Sequence, residues 1–168
     1  ATNTIAAGEV MQLMNVHDPD TTEERYLEVI HRKTARLFEA GAAIAAVLAG
    51  QPREVRERMA VYGRNLGAAF QLVDDALDYQ ASPDELGKDL GDDLAEGKPT
   101  LPLIHAMSNG TPEQRRLIRT AIENGGLDNL APVQAAIEAT GALEYTAGRA
   151  QRAADEAIAA LDDLPPSD

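Results

Sequence analysis

Leu66-Gly67-Ala68-Ala69-Phe70-Gln71-Leu72-Val73-Asp74-Asp75-Ala76-Leu77-Asp78-Tyr79 is the stretch whose reading decides the fold. At 3.6 residues per turn, Leu66, Phe70, Val73 and Leu77 form one apolar stripe, so the segment reads as a helix with that stripe buried. Gln71, Asp74 and Asp78 fall along one edge of the stripe, and Asp75 lies further round. Asp74 and Asp78 are like charges at i, i+4, which costs an isolated helix roughly 0.2–0.5 kcal/mol. On a polar helix such a triplet is commonly a solvated face. Beside an apolar stripe, crowded carboxylates ask for a cation. Hard oxygen ligands of this kind suit Mg²⁺, which takes one or two carboxylates and completes its shell with phosphate oxygens and water. Gly63 and Gly67, one to two turns earlier on the same side, leave room for a bulky ligand.

Working outward, the 168 residues fit one domain and suffice for a real core. There is no cysteine, so disulfides, thiolate chemistry and cysteine zinc sites are excluded. His17, His31 and His105 show no metal-ligand spacing. Aromatics make up only 4% of the chain and alanine is abundant, with little β-branched alternation, which points to an all-helical protein. The net charge of −13 argues against nucleic acid or an anionic membrane surface as the main partner. No stretch reaches the ~18–20 apolar residues of a membrane span. The longest apolar run, Gly41 to Gly50, reads as a close-packed internal helix. Lysine is scarce: Lys33, Lys88 and Lys98 are the only three. All three lie in segments that otherwise look chemical.

Along the chain, residues 4–14 read as a helix and Asn15 to Asp20 as a loop closed by Pro19. Thr21 or Thr22 caps a helix over 22–48, with an apolar seam of Leu27, Ile30, Leu37, Phe38, Ile44 and Leu48. Thr34 falls in the middle of this seam, with Lys33 beside it. A lysine next to a buried stripe either reaches out to water or has a partner. Gly50-Gln51-Pro52 breaks the chain before the central helix, 53–79. Residues 80–98 form an acidic loop containing Asp84, Glu85, Asp89, Asp92, Asp93 and Glu96 with Lys88 and Lys98. Its place after the aspartate helix favours a lid or phosphate-clamping loop over a merely solvated one. Helices fill 99–163. Thr111 is an N-cap with Pro112 at the first helical position, and Gly125-Gly126 is a stop. His105 reads as structural.

Three segments occur together in this order: K-T (33–34), F-Q-L-V-D-D-A-L-D-Y (70–79) and G-K-D-L-G-D-D-L-A-E-G-K-P-T-L-P (87–102). Together they closely resemble the C-terminal half of the trans-isoprenyl diphosphate synthases, over nearly the whole chain. G-E-V-M-Q-L-M-N-V, K-T-A-R-L-F-E-A and E-G-K-P-T-L-P-L-I-H-A-M are similar to the wording of its bacterial octaprenyl-length members. The resemblance implies a bundle of long antiparallel helices around a central cavity, the isoprenoid synthase type, present here as its C-terminal part. It implies a prenyl transfer: an allylic diphosphate ionises, its carbocation is captured by isopentenyl diphosphate, and a proton is lost. A long polyprenyl diphosphate for quinone side chains results. Asp74, Asp75 and Asp78 would be the second aspartate-rich motif, holding Mg²⁺ against the diphosphate. Gln71 would orient the aspartates and touch the allylic diphosphate, Lys33 and Thr34 would bind the same group, and Lys88 and Lys98 would clamp it. A cytoplasmic homodimer is expected.

The departures from the family pattern are large. The first aspartate-rich motif and the early lysine, arginine and histidine set for isopentenyl diphosphate do not occur in this sequence. Neither do the residues that set product length. The reading is therefore half of a synthase domain, inactive by itself and exposing apolar surface where the other half packs. A non-catalytic subunit of a synthase ordinarily loses its aspartate motif, which is intact here. Other terpenoid synthases share the metal logic but generally lack the K-T and G-K-P-T-L-P segments. One geometric expectation is sharp: Thr34 and Asp74 face the same cavity.

Overall fold

A computed structural model describes residues 1–80, 90–162 and 164. Among these the chain is helical throughout, with no strand. Helix α1 spans Thr2–Asn15, α2 Glu23–Ile30, α3 Arg36–Leu48 and α4 Arg53–Gln80. A short α5 follows at Asp92–Ala95, then α6 Leu101–Asn109, α7 Pro112–Asn124, α8 Leu130–Ala139 and α9 Ala142–Ala159. Several ends carry the chemistry expected of them. Thr22 accepts from the Arg25 N–H at the start of α2, and Thr111 and Gln114 form a reciprocal capping box at the start of α7.

The long α4 is the axis. It packs against α3 on one side and α9 on the other. The α3–α4 pair is antiparallel: Gly63 lies against Phe38 and Ala42, and Gly67, one turn later, against Ala35. A Cβ at Gly63 would sit 2.4 Å from the Phe38 carbonyl oxygen, so only glycine permits this approach. Two cores result. One joins Tyr79 and Leu94 to α6, α7, α8 and the start of α9, with Leu103, Ile118, Ile122 and Val133 fully buried. The other joins Tyr26, Ile30 and Ala35 to Ala68 and Leu72 of α4 and to Leu101, Ile104 and Ala150.

Four expectations need correction. The helix over 22–48 is not continuous: His31–Ala35 forms a π-helical turn between α2 and α3. π-Turns are rare and cluster at functional sites; this one carries Lys33 and Thr34. The run from Gly41 to Gly50 is not internal, since Ile44, Val47 and Leu48 are 58%, 49% and 83% exposed. The stripe Leu66, Phe70, Val73 and Leu77 is exposed as well. The buried face of α4 is instead Gly63, Gly67, Ala68, Ala69, Leu72, Asp75, Ala76 and Tyr79. Periodicity identified the helix, but small residues, which allow close backbone approach, took the inner side. The large apolar residues face outward with Leu37, Ile44, Val47 and Leu48 of α3. The expected acidic loop over 80–98 contains, in its described part, the helical turn α5.

Candidate functional site

α1, α2, the π-turn, α4 and the segment after α5 meet around a cavity of about 270 Å³. Lys33, Thr34, Gln71, Asp74, Asp75 and Lys98 all line it, as do Gln12, Tyr26 and Asp93. Thr34 and Asp74 thus face one space, as the sequence reading expects. Val29, Ile30 and Pro99 supply apolar wall.

The cations are held in place by acids. The Lys33 ammonium donates to Gln12 Oε1 and pairs with Glu9 at 2.9 Å, so it is tied to α1 rather than released to water. Lys98 pairs with Glu96 at 2.7 Å and Asp93 at 3.2 Å. Burial works against the Lys98 ammonium, but Glu96 and Asp93 outweigh it and leave its pKa raised. Lys88 lies outside the described residues.

The carboxylates are less well compensated. Asp75 is 2% exposed. Tyr26 Oη donates to its Oδ2 at 2.5 Å and Gln71 Nε2 to its Oδ1 at 2.8 Å. Burial, reinforced by the charge of Asp93, still raises its pKa to about 7. Burial and the same neighbour bring Asp78 to about 6. Asp78 does not line the cavity. Its two oxygens accept the N–H groups of Asp92 and Asp93 at 3.2 Å each, so it caps α5 and fixes the chain that leads to Lys98. Burial pushes Asp93 upward too, against the pull of Lys98.

Carboxylates forced together and driven toward protonation are a donor set that a hard divalent cation would relieve. The residues present fit Mg²⁺ in this chemical sense. Among the described residues, however, no three acidic or histidine side chains already converge as a metal-binding group. The sequence reading missed Tyr26, Gln12 and the cavity role of Asp93. Asp93 had a signal, five residues before Lys98 in G-D-D-L-A-E-G-K. Tyr26 and Gln12 had none, because only the packing of α1 and α2 on α4 brings them in.

An all-helical layer that gathers lysines, a Lys-Thr turn and an aspartate-bearing helix around one cavity defines the class: an isoprenoid-synthase-type fold. Known proteins agree. The polyprenyl synthetase family profile matches residues 1–140. Octaprenyl diphosphate synthase of Escherichia coli is 60% identical over 166 residues, which is 98% of this chain and 51% of that protein. An all-trans-nonaprenyl-diphosphate synthase (geranyl-diphosphate specific) of Rhodobacter capsulatus is 52% identical, over 97% of this chain and 50% of that one. The crystal structure of a polyprenyl synthase from Caulobacter crescentus, complexed with calcium and isoprenyl diphosphate, superposes with a TM-score of 0.92 at 42% identity. The match covers 98% of this chain and 51% of that one. The chain belongs to the polyprenyl synthetase family. It spans about half the length of the curated relatives it matches.

Proposed function

We propose that this chain supplies the diphosphate-ionising half of a trans-prenyltransferase. The whole protein would extend an allylic diphosphate with isopentenyl diphosphate to a long-chain, octaprenyl-type product for quinone side chains. The observation that carries the reading is the mixture in one cavity: Lys33 and Lys98 beside Asp74, Asp75 and Asp93. Cations alone would suit a bare anion, and carboxylates alone a bare metal. Their combination is matched to a metal–diphosphate, whose charge is divided the same way.

In this reading Asp74 would hold Mg²⁺, directly or through bound water, with Asp75 behind it, and Asp78 would join as a ligand only by giving up its cap on α5. The metal, when bound, stabilises the departing diphosphate as a Lewis acid. Lys33 and Lys98 exchange their present acidic partners for phosphate oxygens and offset the charge that develops on the leaving group. Lys88 joins them as a second loop clamp. Thr34 and Gln71 orient the bound group. Val29, Ile30 and Pro99 give the cavity an apolar wall, which disfavours water that would quench a carbocation. The released diphosphate is itself a sufficient base for the final proton. A cytoplasmic homodimer completes the proposal. This chain by itself is expected to bind and not to elongate.

The test is calorimetric titration of inorganic diphosphate into the chain with and without Mg²⁺. Binding is expected to need Mg²⁺ and to weaken at least about tenfold in Asp74→Ala, the loss of one charged partner. Binding that is indifferent to both Mg²⁺ and Asp74→Ala overturns the reading.

A further inference from the structure

Three hydrogen bonds join α2, the π-turn and α4 in one line. Tyr26 Oη donates to Asp75 Oδ2 at 2.5 Å, Gln71 Nε2 donates to Asp75 Oδ1 at 2.8 Å, and Thr34 Oγ1 donates to Gln71 Oε1 at 3.1 Å. While Asp75 is ionised, the direction of this line is fixed. An ionised carboxylate only accepts, so Gln71 must turn its NH₂ toward Asp75. An amide has two unlike ends, so its carbonyl then faces Thr34. That carbonyl also only accepts, so the single proton of the Thr34 hydroxyl is used inward. The Tyr26 end is held the same way: its hydroxyl is buried, and the backbone N–H of Leu101 faces it, leaving its proton for Asp75.

We infer that Asp75, anchored by Tyr26, is a positioning residue that sets the polarity of Gln71 and thereby makes Thr34 face the cavity as a hydrogen-bond acceptor. Thr34 is then matched to a donor, such as metal-bound water, and mismatched to an unprotonated phosphate oxygen. The inference rests on the proposed function and sharpens it: Thr34 recognises the hydrated metal side of the ligand rather than the diphosphate itself. It also explains why a carboxylate is kept on the buried face of α4. Both its oxygens are occupied by donors, and what it delivers to the cavity is orientation.

The polarity can be tested without any ligand. In the ¹⁵N-labelled chain, at mildly alkaline pH, one Gln71 side-chain amide proton is expected downfield, the one donated to Asp75 Oδ1. That shift should survive Thr34→Val and move in Tyr26→Phe. A shift abolished by Thr34→Val and unmoved in Tyr26→Phe means the amide points the other way, and the inference falls. The consequence for recognition is tested by diphosphate titration in two backgrounds. In Asp75→Asn, Tyr26 still donates to the new amide oxygen, so the new NH₂ faces Gln71, the Gln71 amide inverts, and the Thr34 proton turns to the cavity. With Mg²⁺ present, Thr34→Val should weaken diphosphate binding about fivefold in the natural chain, the usual effect of one hydrogen bond, and less than about twofold in Asp75→Asn, where Thr34 no longer presents an acceptor to metal-bound water. The lost charge of Asp75 is common to both measurements made in the Asp75→Asn background and cancels in the comparison. Equal effects of Thr34→Val in the two backgrounds overturn the inference. If the folded natural chain shows no Mg²⁺-dependent diphosphate binding, the proposed function fails, while the amide resonances still decide the polarity.

Discussion

The two faces of α4 are opposites of what their side chains would suggest. The inner face is built from Gly63, Gly67, Ala68, Leu72 and Ala76, and it includes a charged group, Asp75, at 2% exposure. The outer face carries Leu66, Phe70, Val73 and Leu77, at 37% to 57% exposure. Burial in this chain follows what each face has to pack against. The inner face meets α3 at backbone distance and accepts donors from α2. The outer face, like Leu37, Ile44 and Leu48 on α3, leaves large apolar side chains exposed. Phe38 and Phe70, with ring centroids 5.7 Å apart, tie the two helices together along this surface.

That contrast breaks in a definite order under substitution. The largest effect is expected far from the outer face, in the fully buried core of α6 to α9. Ile122→Ala should cost about 2–5 kcal/mol in urea unfolding, the transfer loss plus the cavity left behind. Next comes the inner face of α4. Gly63→Ala places a methyl against the Phe38 carbonyl and should cost roughly 1–3 kcal/mol as α3 is pushed away. A stability unchanged by Gly63→Ala would refute the close approach.

Asp75 gives the inner face a pH signature. Its folded pKa of about 7 lies above the ordinary 3.8, so the folded state holds this proton more tightly than the unfolded chain does. The stability it contributes is therefore fully present below about pH 4 and lost as pH rises through about 7, by an amount on the order of a few kcal/mol. The half-buried Asp78, raised to about 6, acts in the same sense over a narrower window. Urea midpoints across this range should fall with pH more steeply in the natural chain than in Asp75→Asn. Parallel profiles would mean that Asp75 keeps an ordinary carboxylate pKa. The smallest stability effect belongs to the outer face: Phe70→Ser should stay within about 0.5–1 kcal/mol. Its readout is elsewhere, in reduced concentration-dependent self-association by sedimentation.

Much of the site is legible in the residues. Lys33, Thr34, Gln71, Asp74 and Lys98 come to one cavity from segments whose composition already looks chemical, and the capping of α2 and α7 follows Thr22 and Thr111 as local rules require. The direction of the faces is not legible. A period of 3.6 tells which residues share a side, not which side has a partner. An inward reading of Leu66, Phe70, Val73 and Leu77 therefore rests on size alone. The i, i+4 spacing groups Asp78 with Asp74, yet in the structure Asp78 caps α5, because the chain returns over the end of α4 in a way no local pattern announces.

By itself the sequence determined the helical class, the order and ends of most elements, and most of the charged side chains that line the cavity. These are properties of short range: propensity, caps, and charge types that have few other uses. Only the tertiary structure decided the π-turn under Lys33 and Thr34, the burial of Asp75 and the partnership with Tyr26. Each depends on which helices approach within hydrogen-bond distance, and that approach is set by glycines on one helix meeting the backbone of another.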